Sequence, residues 1–380
     1  MSYDTRYRTR RDFLRDLGRG AAGIGLGVAG LGLLGAKHDS PPLFGDTWPD
    51  SPLDQSGGWT HARDGRANDR SAQLYRRTAP PARVGLVKGT NRREMVYNAL
   101  KLIENDVLGA IGGREVWIKP NVVTPINPLG SLHVDAVRGI LDFLRPHYKK
   151  TITIGEAATL DTWKGFETYG YLTLEKEYKV KLVDLNRVGA FEYRYVIDKN
   201  NRPIPIRIVS AFLQPNRFMI SAAPMKTHNI VLVTLSLKNV ILGAPLNDYK
   251  TNDKGLMHTS HNDTADNICH YNMFHIGQEV FPDLAVIDGF QAMEGKGPAW
   301  GTPVESRVVV AGRDPVAADT LAAKVMGFDA RKIGYLAAMA DAGMGQGDLG
   351  KITVLGTPLD ECLYHFKLDE RTAEMYGIKQ

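Results

Sequence analysis

From residue 84 onward, short apolar runs rich in β-branched residues alternate with longer segments of helical periodicity. The runs at 84–87, 115–119, 151–155, 180–184, 218–222, 284–288, 307–312 and 352–355 have the length and composition of strands. Between them, 94–103, 134–148, 266–281 and 315–326 repeat apolar residues every three to four positions, as amphipathic helices do. This alternation predicts an α/β fold, a mainly parallel sheet flanked by helices. One interval breaks the rhythm. Residues 191–209 hold two alternating runs on either side of Asp198-Lys199-Asn200-Asn201-Arg202-Pro203, which reads as a β-hairpin excursion.

The first 83 residues follow neither period. Residues 37–83 are rich in Pro, Gly, Asp and Arg and read as an irregular leader. Ahead of them, Thr9-Arg10-Arg11-Asp12-Phe13-Leu14-Arg15 precedes a weakly apolar stretch at 20–36, the architecture of a twin-arginine export signal. That reading expects delivery to the periplasm, already folded, by the twin-arginine translocase. The stretch is 17 residues with seven glycines, short of the ~20 strongly apolar residues a spanning helix wants. No membrane span is therefore expected after signal cleavage. Leu34-Gly35-Ala36 is an imperfect cleavage site, which keeps retention as an anchor open. The resulting plan is a signal at 1–36, a leader at 37–83, an α/β domain at 84–356 and a C-terminal tail at 357–380.

Charge changes meaning under this plan. The chain carries a net +5, but residues 1–36 hold six basic and three acidic residues, so the remainder carries +2. The basic balance belongs mostly to the signal and gives no argument for a nucleic-acid partner. Cys269 and Cys362 are the only cysteines. They cannot supply a self-contained four-cysteine iron–sulfur cluster or zinc site. Any metal must rest mainly on histidines and carboxylates. Whether the two thiols pair in an oxidising compartment is left open.

Two G-x-G-x-x-G strings mislead. Gly25, Gly27 and Gly30 fall in the signal, while Gly345, Gly347 and Gly350 precede a strand, the reverse of the strand–turn–helix order that dinucleotide binding requires. More informative are polar residues just past the ends of apolar runs, where open parallel sheets bind ligands. Lys119 and Asn121, Glu156, Lys226 and His228, and Asp288 occupy such positions. On one sheet edge they would form a cleft for acid–base chemistry or anion binding, with Glu156 or Asp288 as proton carriers. Lys238 and Asn239 interrupt the apolar run 230–242, and a lysine there must snorkel, pair with an acid or face a ligand. Lys296 lies in the turn Glu294-Gly295-Lys296-Gly297-Pro298, either an anion nest or a loop needing positive φ. His258, His261 and Asp263 have the spacing of a divalent or transition metal site. His270 and His275 read as packing residues, and Asp319 is the one residue of its helix that capping leaves unexplained.

Taken together, Trp117-Ile118-Lys119-Pro120-Asn121, Met225-Lys226-Thr227-His228, Leu235-Ser236-Leu237-Lys238-Asn239, Ile287-Asp288-Gly289 with Met293-Glu294-Gly295-Lys296-Gly297-Pro298, and Asp314-Pro315-Val316-Ala317-Ala318-Asp319 resemble the family known as domain of unknown function 362. The resemblance covers roughly residues 83–355. It implies members with an added Cys-rich ferredoxin-like module and members with a twin-arginine signal; this chain has only the second feature. It implies no reaction. The reading that follows is an exported enzyme holding an anionic substrate or metallocofactor in a Lys/His/carboxylate cleft, with a non-catalytic metal- or cofactor-binding accessory protein as the rival.

Overall fold

The computed structural model describes residues 79–248, 251–259 and 267–379. The signal, most of the leader, His261 and Asp263 lie outside the described residues. The strands are β1 Ala82–Lys88, β2 Glu115–Pro120, β3 Ile152–Glu156, β4 Val180–Asp184, β5 Phe191–Ile197, β6 Pro203–Val209, β7 Arg217–His228, β8 Leu232–Thr234, β9 Leu284–Glu294, β10 Thr302–Val304, β11 Val308–Gly312 and β12 Ile352–Gly356. The helices are α1 Arg92–Lys101, α2 Glu104–Ile111, α3 Val134–Leu144, α4 Thr162–Thr168, α5 Leu174–Glu177, α6 Ser236–Ile241, α7 Asp253–Thr259, α8 Ile268–Gly277, α9 Pro315–Val325, α10 Gly334–Asp341 and α11 Glu370–Met375.

Ten strands form one sheet in the order β12-β1-β11-β9-β7-β2-β3-β4, with β8 added to β7 and β10 to β9. The half from β9 to β4 is parallel. Strand β11 runs antiparallel to both neighbours, so the sheet is mixed although mostly parallel. The hairpin β5–β6 forms a separate two-stranded sheet, as the alternation at 191–209 predicts.

Each face of the large sheet buries its own core, and the period of two along a strand assigns residues to faces. On β9, Leu284 and Val286 pack into the core with α1 and α3, while Ala285 and Ile287 join the core containing α6, α8 and α9. On β2 the same rule separates Val116 and Ile118 from Trp117. Helix α9 starts where the sequence places it: Asp314 accepts a 3.0 Å bond from the Ala317 amide, and Pro315 opens the first turn.

Strands β7 and β9 run well past the apolar runs that predict them. Their ends carry Lys226, Thr227 and His228, and Gln291 and Glu294, polar residues that sequence alone assigns to loops. The segment 357–380 is more than a tail, because Cys362, Phe366, Leu368 and Tyr376 are buried in the α6-side core. Both cysteines are free and buried. His270 is a packing residue: its Nδ1 accepts from the Tyr335 amide and its Nε2 lies 2.7 Å from the Tyr376 hydroxyl. Among the described residues no helix is long and apolar enough to cross a membrane.

Candidate functional site

A cleft of about 90 Å³ opens where β2, β3 and β7 meet α6 and α7. Lys119, Asn121, Glu156, Lys226, His228, Lys238 and Asn239 all line it, joined by Thr234, Lys254, His258 and Pro298. Most of the residues singled out in the sequence therefore converge. Asp288 does not. It shares the pleat parity of Leu284 and Val286, so it faces the α1 side of the sheet, where Arg92 Nε stands 3.0 Å from its carboxylate. Lys296 is exposed and does not line the cleft. The turn around it is the conformational loop: Gly295 has φ 78°, and the Gly295 and Gly297 amides are spent on the Lys367 and Gly295 carbonyls. Gly297 itself passes so close to the Thr227 carbonyl that a Cβ would overlap it.

The floor of the cleft is a saturated network. Lys119 Nζ donates to Glu156 Oε1 at 2.7 Å, Asn239 Oδ1 at 2.9 Å and the Pro120 carbonyl at 3.0 Å, using its three protons. Glu156 also accepts from the Val122 and Ala157 amides at 2.6 and 2.7 Å. Asn239 closes the circuit by donating to the Lys119 carbonyl and Ser221 Oγ. Gly243 makes room for this arrangement, since a Cβ there would overlap Lys119 Cε and the Asn239 carbonyl. Helix α6, which carries Lys238 and Asn239, is fixed from outside. Asp319 on α9 accepts 3.0 Å bonds from the Ser236 and Leu237 amides. Asp319 thus caps a helix some eighty residues away, a role invisible in its own segment. Burial pushes its pKa up to about 8.

The walls are cationic. Lys226 donates to the Gly130 and Pro298 carbonyls at 2.5 and 3.1 Å. Lys254 donates to the Pro245 carbonyl at 2.6 Å and to that of Gly243. Lys254 is the site residue that sequence reasoning missed, because it sits in a polar stretch without periodicity. The hairpin explains its placement: Arg207 on β6 reaches Asp253, the first residue of α7, at 2.9 Å and Asp248 at 2.7 Å. That anchor holds the helix bearing Lys254 and His258 against the cleft. Lys238 is 7% exposed, and among the described residues no group accepts a hydrogen bond from its Nζ.

Burial shifts these groups. Desolvation lowers Lys119, against the pull of Glu156, and drops Lys226 well below the usual lysine range. Lys238 falls to about 8 and Lys254 to about 7, again chiefly by burial. His228 is driven well below the ordinary histidine range by burial, with Lys238 adding repulsion. Its Nδ1 accepts from the Ile230 and Val231 amides at 3.1 and 3.5 Å, so the neutral ring carries its proton on Nε2. His258, whose ring centroid is 5.9 Å away, carries a proton on Nδ1, which donates to the Lys254 carbonyl at 2.8 Å. Two polar atoms lining the cleft are buried without partners, Asn121 Oδ1 and Thr234 Oγ1.

Among the described residues no three histidine, cysteine or carboxylate groups assemble for a metal. The family model described as a domain of unknown function, DUF362, matches residues 116–324. The chain belongs to this family. The match takes in the cleft residues just described. The DUF362 chain is similar to a thylakoid-associated protein of Synechocystis sp., 23% identical over 291 residues that span 73% of this chain and 86% of that protein. A crystal structure of a Thermotoga maritima protein, determined in a structural genomics programme, overlaps 60% of this chain at 11% identity with a TM-score of 0.37. The overlap spans 57% of that protein.

Proposed function

We propose that the DUF362 domain is an exported enzyme that binds a small oxyanion, a carboxylate or phosphate, in the β2–β3–β7 cleft. The carrying observation is the charge inventory: among the described residues four lysines and two histidines line the cleft, with Glu156 as the one carboxylate. Burying like charges together costs free energy unless a counter-charge arrives, and the volume suits a compact ligand. The unpartnered Thr234 hydroxyl offers it a hydrogen-bond donor. Lys119 and Glu156, their hydrogen bonds already spent, act as positioning residues. Lys226, Lys238 and Lys254 supply ligand contacts. His228 and His258 stand side by side at the cleft, with the His228 Nε2–H available as a donor to the ligand. This tautomer leaves His228 no lone pair toward the cleft, which favours an anion over a metal there.

Thermal unfolding with phosphate, sulfate or pyruvate tests the reading. Saturable stabilisation that weakens in Lys226→Met and Lys238→Met is expected, and equal response in wild type and both variants would sink it. Export is tested separately: replacing Arg10 and Arg11 by lysine should hold the protein in the cytoplasm of a host with a twin-arginine translocase, and unchanged periplasmic recovery would refute that part.

A further inference from the structure

We infer that Lys238 is an imine-forming lysine and that the cleft takes a small 2-oxo acid. The inference rests on the anion-binding reading and adds an electrophile to it. Lys119 is held by three acceptors, and Lys226 and Lys254 by two each. Lys238 alone among these four meets no acceptor within the described residues, although it is nearly buried and lines the cavity. Burial works against its charge; among its neighbours Cys269 favours that charge and Lys119 opposes it. An amine becomes a nucleophile when desolvation and neighbouring cations keep it neutral, and Lys238 falls to about 8 through burial, which outweighs the opposing pull of Cys269. It also sits on a helix clamped by Asp319, so its direction is fixed.

The chemistry around it selects the substrate. Once a bound carboxylate draws a proton onto them, Lys226 and Lys254 each have one N–H beyond their two carbonyl bonds, enough to hold it. A cavity of about 90 Å³ admits only a few carbon atoms beside it. In the first step the Lys238 nitrogen lone pair forms the bond to the 2-carbonyl carbon while the C=O π pair moves to oxygen. A proton passes from nitrogen to that oxygen to give the carbinolamine. The Lys254 ammonium then protonates the hydroxyl, water leaves as the nitrogen lone pair forms the C=N bond, and the remaining nitrogen proton returns to the Lys254 amine. One amine and one carbonyl become one imine and one water, with no oxidant or reductant consumed.

The full chain treated with pyruvate or glyoxylate and sodium cyanoborohydride tests this by intact mass and peptide mapping. One reduced adduct per chain on Lys238 is expected, formed more slowly when phosphate competes and lost in Lys238→Arg. No adduct, or label spread over surface lysines without preference for Lys238, would overturn it. Thermal stabilisation by phosphate without an adduct refutes the imine and leaves the anion site standing. Absence of both refutes both.

Discussion

Two ion pairs flank the sheet, Lys119–Glu156 fully buried and Arg92–Asp288 on the α1 side with a partly exposed Arg92, and they differ in what surrounds them. Arg92–Asp288 is self-contained. Arg92 stacks 4.7 Å from the Phe290 ring, Asp288 accepts from the Phe290 amide at 2.9 Å, and burial that raises the Asp288 carboxyl is countered chiefly by Arg92. Lys119–Glu156 is drier, its lysine 2% exposed against 14% for Arg92, and it belongs to a cleft with three further lysines. One pair closes a core; the other supports surplus positive charge. Sequence position alone groups Lys119 with Asp288, and only the pleat parity separates their roles.

The largest expected effect comes from breaking the cleft pair. Glu156→Gln leaves the Lys119 ammonium buried and unpaired, and urea unfolding should register a loss of about 3–5 kcal/mol. On the other face, replacing both members together, Arg92→Met with Asp288→Leu, should leave stability near wild type, since dry pairs are often replaceable by apolar residues. Anion affinity should stay unchanged in that double variant. A weakened affinity would erase the distinction between the faces.

Next in size, Asp319→Ala orphans the Ser236 and Leu237 amides and should cost about 1–3 kcal/mol in urea. It should also weaken anion binding by loosening α6, whereas an unchanged affinity would show that the cap does not govern Lys238. A smaller effect is expected from pH. Lys254 near 7 and Lys238 near 8 are charged below those values, so affinity for phosphate should fall as pH rises through that window. Lys119, Lys226, Glu156, His228, His258 and Cys269 surround the titrating amines and set its sharpness. Stability of the empty protein moves the other way. Between these values and the ordinary lysine pKa of about 10.4 the unfolded chain binds more protons, so stability rises with pH. Least affected should be Lys296→Ala, which removes an exposed charge and should shift stability by no more than about 0.5 kcal/mol.

How much was legible follows the physics of each element. Period-two and period-3.6 patterns located the strands and helices and marked the hairpin at 191–209, because burial of one face leaves that trace in sequence. Lys119, Glu156, Lys226, His228 and Lys238 could be named because a charged residue at the end of an apolar run is unusual. What stayed hidden depends on contacts far apart in the chain. The reversal of β11, the length of β7, the Asp319 cap on α6 and the arrival of Lys254 through the Arg207 anchor leave no local pattern.

Isothermal calorimetry of wild type with phosphate near pH 8, repeated in buffers of different ionisation enthalpy, tests the central claim most directly. A surplus of buried amines poised near neutrality predicts saturable one-site binding with net proton uptake, reduced in Lys238→Met. Saturable binding without proton uptake, or no binding by folded protein, would contradict it.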